Sequence, residues 1–393
     1  MRRVLQIIPY NSLYPPNNGG KLRSFHLMDQ ISRFSKLDVL TYQTENEIIQ
    51  KGYTNENIRF FSPHSFIQNQ RDDFLQYYLY NSIRYRWVRR SFDGPANIVV
   101  LDFEKLLKHL AQTEKYTTVI FEHIASMLLA PIVKRLFPNA KLILDAHNVD
   151  YKLEGNEKLR RKIKKTEESI YKNVDEFWAC SQEDVEELEA MNNKRINGIL
   201  IPNGVDTFHK SFHKNKVGLA KSLLFCGSLN YYPNQEGLLW FFDEIWSLVT
   251  KKIKDVRLTI IGRGDTAPFK HFENDERVSL IGEVENVAEY YKNNYIAIIP
   301  LLSGSGTRLK ILEAMSFGNP IVSTSIGIEG INVKDRQEVL IADNPDSFAN
   351  AIIEIIQKPE LGEFLRVNAY QLVKTTYDWN IIGEILDNSL QYD

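Results

Sequence analysis

Cysteine is scarce in this chain. There are two in 393 residues, Cys180 and Cys226. They lie far apart inside apolar runs, so they read as small buried hydrophobes in a reducing compartment and not as a disulfide framework. No run of eighteen apolar residues occurs, which excludes a membrane-spanning helix. The VLQII that follows Met1, Arg2 and Arg3 is too short for a signal-peptide core and reads as a first buried strand. Charge of one sign is missing too: 48 Lys and Arg stand against 50 Asp and Glu, a net charge of −2, so nucleic acid is not an expected partner. No GxxxxGK[ST] is present, and GSGTRL (304–309) lacks the third glycine of GxGxxG, which disfavours a P-loop or a nicotinamide site. There is no Asp-x-Asp and no His, Cys or carboxylate set at metal-ligand spacing, so no metal is expected.

What remains is an ordinary globular composition, 43% hydrophobic and 25% charged, which suits neither a coiled coil nor a disordered chain. No short repeat or low-complexity segment appears, so solenoids drop out. The length allows two or three domains. Short β-branched runs recur with room for a helix between them: VLQIIPY, LDVLTY, TTVIFEH, AKLILDAHN and EFWACS. After IPNGVD (201–206) the pattern restarts with SLLFCGSL, VRLTIIG, RVSLIG, YIAIIP, PIVSTS and EVLIA. Strands alternating with helical stretches predict two α/β domains on parallel sheets. The polar, Lys-rich segment after IPNGVD places the hinge near 203–220. The expected domains are 1–205 and 206–379, with 380–393 crossing back onto the first after the break at TTYDWN. Trp240, Phe241, Phe242 and Trp246 read as helix core.

Residues 295–325 carry most of the chemistry. YIAIIP reads as a buried strand, LLSGSG as a loop whose Gly304 and Gly306 leave backbone open to a ligand, and TRLKILEAMSF as a helix stopped by Gly318 and Pro320. A helix that starts after a glycine loop at the carboxyl end of a parallel strand aims free N–H groups and its positive pole at one spot. Arg308 and Lys310 in its first turn are unfavourable for the helix itself, which points to an anion there. Glu313 follows on the same side, able to hold sugar hydroxyls or simply to pair with Lys310.

These segments, in their order, resemble the GT-B glycosyltransferases, specifically family 4. The resemblance rests on PPNNGGKLRS (15–24), LDAHNVD (144–150), IPNGVD, LLFCGSLNYYPN (223–234), RLTIIGRG (257–264), VSLIGEV (278–284) and GSGTRLKILEAMSFGNPIVST (304–324), and it runs nearly the whole chain. It implies an α/β fold of two Rossmann-like domains facing across a cleft. It implies a retaining, metal-independent hexosyltransferase that moves a sugar from a nucleotide-diphosphate sugar to a glycan, glycolipid or lipid-linked acceptor, in surface polysaccharide or glycoconjugate synthesis in the cytoplasm. Glu313 would hold the ribose, the backbone at Ile281 and Gly282 the base, and Gly227 with the amides of Ser305, Gly306 and Thr307 the diphosphate and donor sugar. In the first domain Gly19 and Gly20 match a glycine loop near diphosphate and acceptor, His147 a histidine close to the transferred sugar, and His123 a weaker acceptor-side candidate.

Two positions depart from the family pattern. Its first glutamate is here Ser305, which leaves the donor sugar open. Its Arg and Lys after the first strand of the second domain are here Ser228 and Asn234, so Arg308 and Lys310 are expected to supply that charge from the other wall. Ser305 also motivates a catalytically silent nucleotide-sugar-binding scaffold as an alternative, and a sugar-nucleotide epimerase or a phosphorylase on the same architecture is another. KLRRKIKK (158–165) and RYRWVRR (84–90) read either as solvated helix faces or as a peripheral contact with anionic lipid at the inner face of the membrane.

Overall fold

The structure, a computed structural model, describes residues 2–10, 12–63, 96–207, 212, 220–304 and 308–391. The sequence readings of RYRWVRR, of most of the hinge (208–211 and 213–219) and of Ser305, Gly306 and Thr307 lie outside the described residues. Two compact units are present, Met1–Pro202 with Gly383–Asp393, and Asn203–Ile382.

The first unit is a seven-stranded parallel sheet. Its strands are β1 (Arg3–Ile7), β2 (Lys36–Leu40), β3 (Ile58–Phe61), β4 (Thr118–Glu122), β5 (Lys141–Ala146), β6 (Glu176–Ala179) and β7 (Asn197–Leu200), in the order β3-β2-β1-β4-β5-β6-β7. The interior strands read as continuous apolar runs because both faces are covered: Val4, Ile120 and Ile143 are buried on one face, and on the other Leu5, Ile7, Val119, Phe121, Leu142 and Leu144 join Leu106, Leu107 and Val133 of the flanking helices in one core. The second unit is a six-stranded parallel sheet of β8 (Ser222–Cys226), β9 (Arg257–Ile261), β10 (Val278–Gly282), β11 (Ile296–Ile299), β12 (Ile321–Ser323) and β13 (Leu340–Ile341), in the order β10-β9-β8-β11-β12-β13. Phe241 and Trp246 are buried in its core with Ile260, Ile298 and Phe348.

In each sheet the strand order reverses once, between β1 and β4 in the first and between β8 and β11 in the second. Open α/β sheets bind ligands at the carboxyl ends of the strands beside such a reversal. The last helix, Trp379–Ser389, belongs by its first residues to the second unit and from Gly383 onward to the first. There Asp387 pairs with Arg2 at 2.7 Å, and the Ser389 carbonyl accepts from Lys141 Nζ at 3.2 Å. No helix among the described residues is long and apolar enough to cross a membrane.

Candidate functional site

In the first unit the carboxyl ends of β1, β4 and β5 bring a polar cluster together. Pairing β4 with β5 sets Glu122 beside Asp145, and His147 follows two residues on. The helix Gly19–Ser32 contributes Arg23 and Ser24. Arg23 donates from Nε to Asp145 Oδ2 at 2.9 Å and from Nη2 to Asp145 Oδ1 at 2.5 Å, and from Nη1 to the Ile201 carbonyl at 2.8 Å. Glu122 accepts from Gln6 Nε2 at 2.6 Å and from Ser24 Oγ at 2.6 Å. His147, buried at 6% exposure, sets Nε2 2.8 Å from Glu122 Oε2 and 3.0 Å from Asp145 Oδ2. Burial works against its charge. The charge of Asp145 and hydrogen bonds to Asp145 and Glu122 outweigh burial and raise the imidazole to about 9. His123 packs against His147 with ring centroids 3.6 Å apart and the ring planes tilted by 38°, and burial together with the His147 charge pushes it well below the usual histidine range. Its backbone is in the left-handed region at φ 63°, a strained conformation of the kind that collects at functional sites.

Glu122, Asp145 and His147 also have ligating atoms within 4.8 Å of one another. Each of the four carboxylate oxygens also takes a donor from Arg23, Gln6 or Ser24. The set is a buried ion network. Sequence spacing does not announce it, because Arg23 and Asp145 stand 122 positions apart. The cues that were there are the carboxylate beside the histidine in FEH and the Asp-x-His in LDAHNVD.

The reversal in the second sheet gathers a second cluster. Helix Leu309–Ser316 starts after β11, with Arg308 at its N-cap and Lys310 in its first turn. Arg308 is buried and lies 3.7 Å from Glu329. Lys310 donates from Nζ to Asn234 Oδ1 at 2.6 Å and stands 5.2 Å from the centre of the Phe225 ring. Asn234 is fixed by its own Nδ2 donating to the Ser228 carbonyl at 2.8 Å. The ammonium thus goes to the asparagine that stands where the family has a cation, and not to Glu313. Burial, with the Arg308 charge acting the same way, lowers Lys310 to about 8. Gly227 lies against this pair: a Cβ there would sit 3.0 Å from Lys310 Nζ and 2.8 Å from Asn234 Nδ2. Glu313 is half-buried one turn further on. At the end of β10 the pairing with β9 slips between Leu280 and Gly282, and the skipped Ile281 is 48% exposed. A bulge re-aims a side chain in this way.

The structure therefore gathers Gly20, His123 and His147 in the first unit, and Gly227, Arg308 and Lys310 in the second, with Ile281 and Gly282 at the end of a strand of the same sheet; Gly19 is the exposed first residue of the helix that carries Gly20. Both cysteines are free thiols, and Cys180 Sγ donates to the His147 carbonyl at 3.3 Å.

Comparison with known proteins follows the same division. Residues 57–208 match the family model described as Glycosyltransferase Family 4, and residues 220–358 match Glycosyl transferases group 1. A Klebsiella pneumoniae protein described as an uncharacterized 44.6 kDa protein in the cps region is 25% identical over 93% of this chain and 94% of its own length. Sucrose-phosphate synthase from Thermosynechococcus elongatus superposes with a TM-score of 0.73 at 15% identity over 99% of this chain and 98% of that one. Anabaena HepE in complex with UDP does so with a TM-score of 0.70 at 12% identity over 99% of each chain. With both family models matched in tandem and the fold shared along its length, the chain belongs to the GT-B glycosyltransferases of the family 4 kind.

Proposed function

We propose that this chain is a metal-independent, retaining hexosyltransferase that takes its sugar from a nucleotide-diphosphate sugar and delivers it to a glycan, glycolipid or lipid-linked acceptor of a surface polysaccharide or glycoconjugate, in the cytoplasm at the inner face of the membrane. The observation that carries the reading is the start of helix Leu309–Ser316. A buried guanidinium and an ammonium stand there at a helix's positive pole, at the point where the sheet order reverses. That is a place for a leaving diphosphate. HepE, which shares the fold, is known in complex with UDP, and the Klebsiella pneumoniae relative is described by a cps region.

Transfer builds negative charge on the departing diphosphate. Arg308 and Lys310, with the amides of Gly227, Ser305, Gly306 and Thr307, meet it as prepositioned positive groups. Glu313 holds the ribose, and the backbone at Ile281 and Gly282 meets the base, with the exposed Ile281 side chain offering it an apolar surface. Gly19, Gly20 and His147 serve the sugar and the acceptor. The acceptor oxygen attacks on the face the diphosphate leaves and passes its proton to the departing diphosphate oxygen as the bond from the anomeric carbon to that oxygen breaks, so no side-chain nucleophile is needed.

The reading is tested by nucleotide release from UDP-, GDP- and ADP-sugars, with and without cell-derived glycolipid, and by calorimetry against the free nucleotides. Arg308→Ala or Lys310→Ala is expected to lower turnover on the order of a hundred-fold, the cost of one lost transition-state donor at about 3 kcal/mol. Tight binding without turnover across the panel makes the chain a silent scaffold; absence of binding defeats the reading altogether. For the membrane, the helix Glu157–Glu167 presents its cations at the surface. Replacing Arg160, Arg161, Lys162 and Lys164 by Ala is expected to abolish binding to anionic liposomes, each cation near such a surface being worth about 1 kcal/mol. Unchanged binding removes the membrane contact.

A further inference from the structure

The ion pair of Arg308 with Glu329 is lopsided. The Arg308 side chain is 6% exposed and that of Glu329 52%, and their nearest nitrogen and oxygen stand 3.7 Å apart, beyond hydrogen-bond reach. The Arg23 to Asp145 pair of the first unit is the contrast: both partners are buried and the guanidinium donates to both carboxylate oxygens. Arg308 is flanked on another side by the Tyr231 hydroxyl, since a Cβ on Gly304 would lie 3.0 Å from Arg308 Nη2 and 3.3 Å from that hydroxyl. Burial lowers the guanidinium below its ordinary range, and the charges of Tyr231 and Glu329 work the other way.

Glu329 follows the short turn Ile326–Ile328, which comes after β12, the strand paired with β11. The turn thereby brings the carboxylate to the edge of the sheet where the helix Leu309–Ser316 begins. Among the described residues the carboxylate makes no hydrogen bond, so it can turn to water at little cost. The guanidinium cannot follow it out, and a buried cation without an anion is costly. A diphosphate that arrives at Arg308 meets a carboxylate of the same sign already there. One of the two anions has to leave, and only the glutamate has solvent on its own side.

We propose that Glu329 is an exchangeable counterion of Arg308, displaced to water by the diphosphate of a nucleotide and returned to the guanidinium when the nucleotide leaves, so that it loosens the hold on donor and product alike. The charge of Arg308 is then balanced in the empty and in the filled site. A chain without this carboxylate holds its product longer. For its ligand the inference rests on the proposed transferase function.

Calorimetry on the full chain with UDP, GDP and ADP, native and Glu329→Gln, tests it on whichever nucleotide binds. The variant is expected to bind about two- to five-fold tighter, the worth of an ion pair with one exposed partner, and the gain is expected to shrink as salt is raised. In turnover assays the donor KM and the constant for inhibition by the released nucleotide are expected to fall by the same factor. Glu360→Gln removes an equal charge from an exposed position in the first turn of the helix Pro359–Leu372, where Gly362 packs on Tyr295 at the opposite end of β11. It is expected to change neither constant. Unchanged affinity in Glu329→Gln overturns the exchange, and so does an equal gain in Glu360→Gln, which would make the effect one of net charge. Weaker binding of the nucleotide or its sugar conjugate by Glu329→Gln overturns it as well, because the carboxylate would then be holding the ligand. In each of these cases the native chain still binds nucleotide and the transferase reading stands. A native chain that binds none of the three nucleotides sinks that reading, and the exchange with it.

Discussion

Arg23 and Asp145 show what a single buried pair can decide. Both are almost fully buried, and the guanidinium covers both oxygens of the carboxylate. Removing one partner strands the other charge in a low dielectric, which costs about 3–5 kcal/mol. Asp145→Ala is therefore expected to lower unfolding free energy by that amount in urea titration, and a loss under 1 kcal/mol would contradict the pairing. Glu167 gives the opposite kind of residue. Burial, and then the Asp150 charge, raises its carboxyl to about 8, although it accepts the backbone N–H of Asp150 at 2.6 Å. Asp150 itself is raised by burial to about 6. The folded chain thus binds these protons more tightly than the unfolded one. Their contribution is full below the ordinary carboxylate range and is lost as pH rises through 6 and 8. His147, raised to about 9, acts in the same direction at higher pH. The thermal midpoint is expected to fall between pH 5 and pH 9, and Glu167→Gln to flatten that fall. An equally steep decline in the variant would rule Glu167 out as its source. Of these residues, LDAHNVD announced His147 with Asp145 by proximity. Arg23 was hidden because its helix meets its partner on β5 only after 122 intervening positions, and Glu167 because burial, not sequence neighbours, sets its proton.

Helix Leu309–Ser316 shows how an element was readable while its contacts were not. Glycine loop, helix formers and the stop at Gly318 mark it in the sequence. That Lys310 turns to Asn234 requires the chain to return from β8, 76 positions away. This contact has a measurable consequence. A lysine lowered to about 8 by burial is only partly charged in mildly alkaline solution, and a bound diphosphate restores the charge. Nucleotide binding is thus expected to take up a fraction of a proton near pH 8 and to weaken as pH rises above it. Calorimetry in buffers of different ionisation enthalpy reads that uptake directly, and Lys310→Arg is expected to abolish it. A native chain that binds with no proton uptake would show the ammonium lies off the diphosphate. At the same scale the interior strands were legible as apolar runs, since both their faces are covered. β3 and β7 were not. They are the outermost strands, four residues each, and β7 has no fully buried residue, so neither leaves the hydrophobic signature that reveals the others.

Across the whole molecule, the alternation of strands and helices, restarted after IPNGVD, carried both sheets. Their reversal points, which position the clusters, depend on strand order, and periodicity does not encode order. The final helix illustrates the same limit: TTYDWN marks a break, while the partners of the residues beyond it lie hundreds of positions upstream. Those partners make the helix end part of the first unit. Asp387 pairs with Arg2, Ser389 accepts from Lys141, Gly383 packs so closely on Gln30 that a Cβ would meet its Oε1 at 2.4 Å, and Leu386 and Leu390 are buried. Each buried leucine contributes about 1.5–3 kcal/mol, a large share of a domain's margin of 5–15 kcal/mol. Ending the chain after Ile382 is therefore expected to loosen the first unit selectively. Hydrogen exchange read by mass spectrometry should speed up in peptides covering β1, β2 and the Gln30 end of the first helix, while those covering β8 to β11 keep their native rates. Equal acceleration in both units would mean that the last helix supports the chain as a whole, and unchanged rates in β1 would mean that the first unit stands without it.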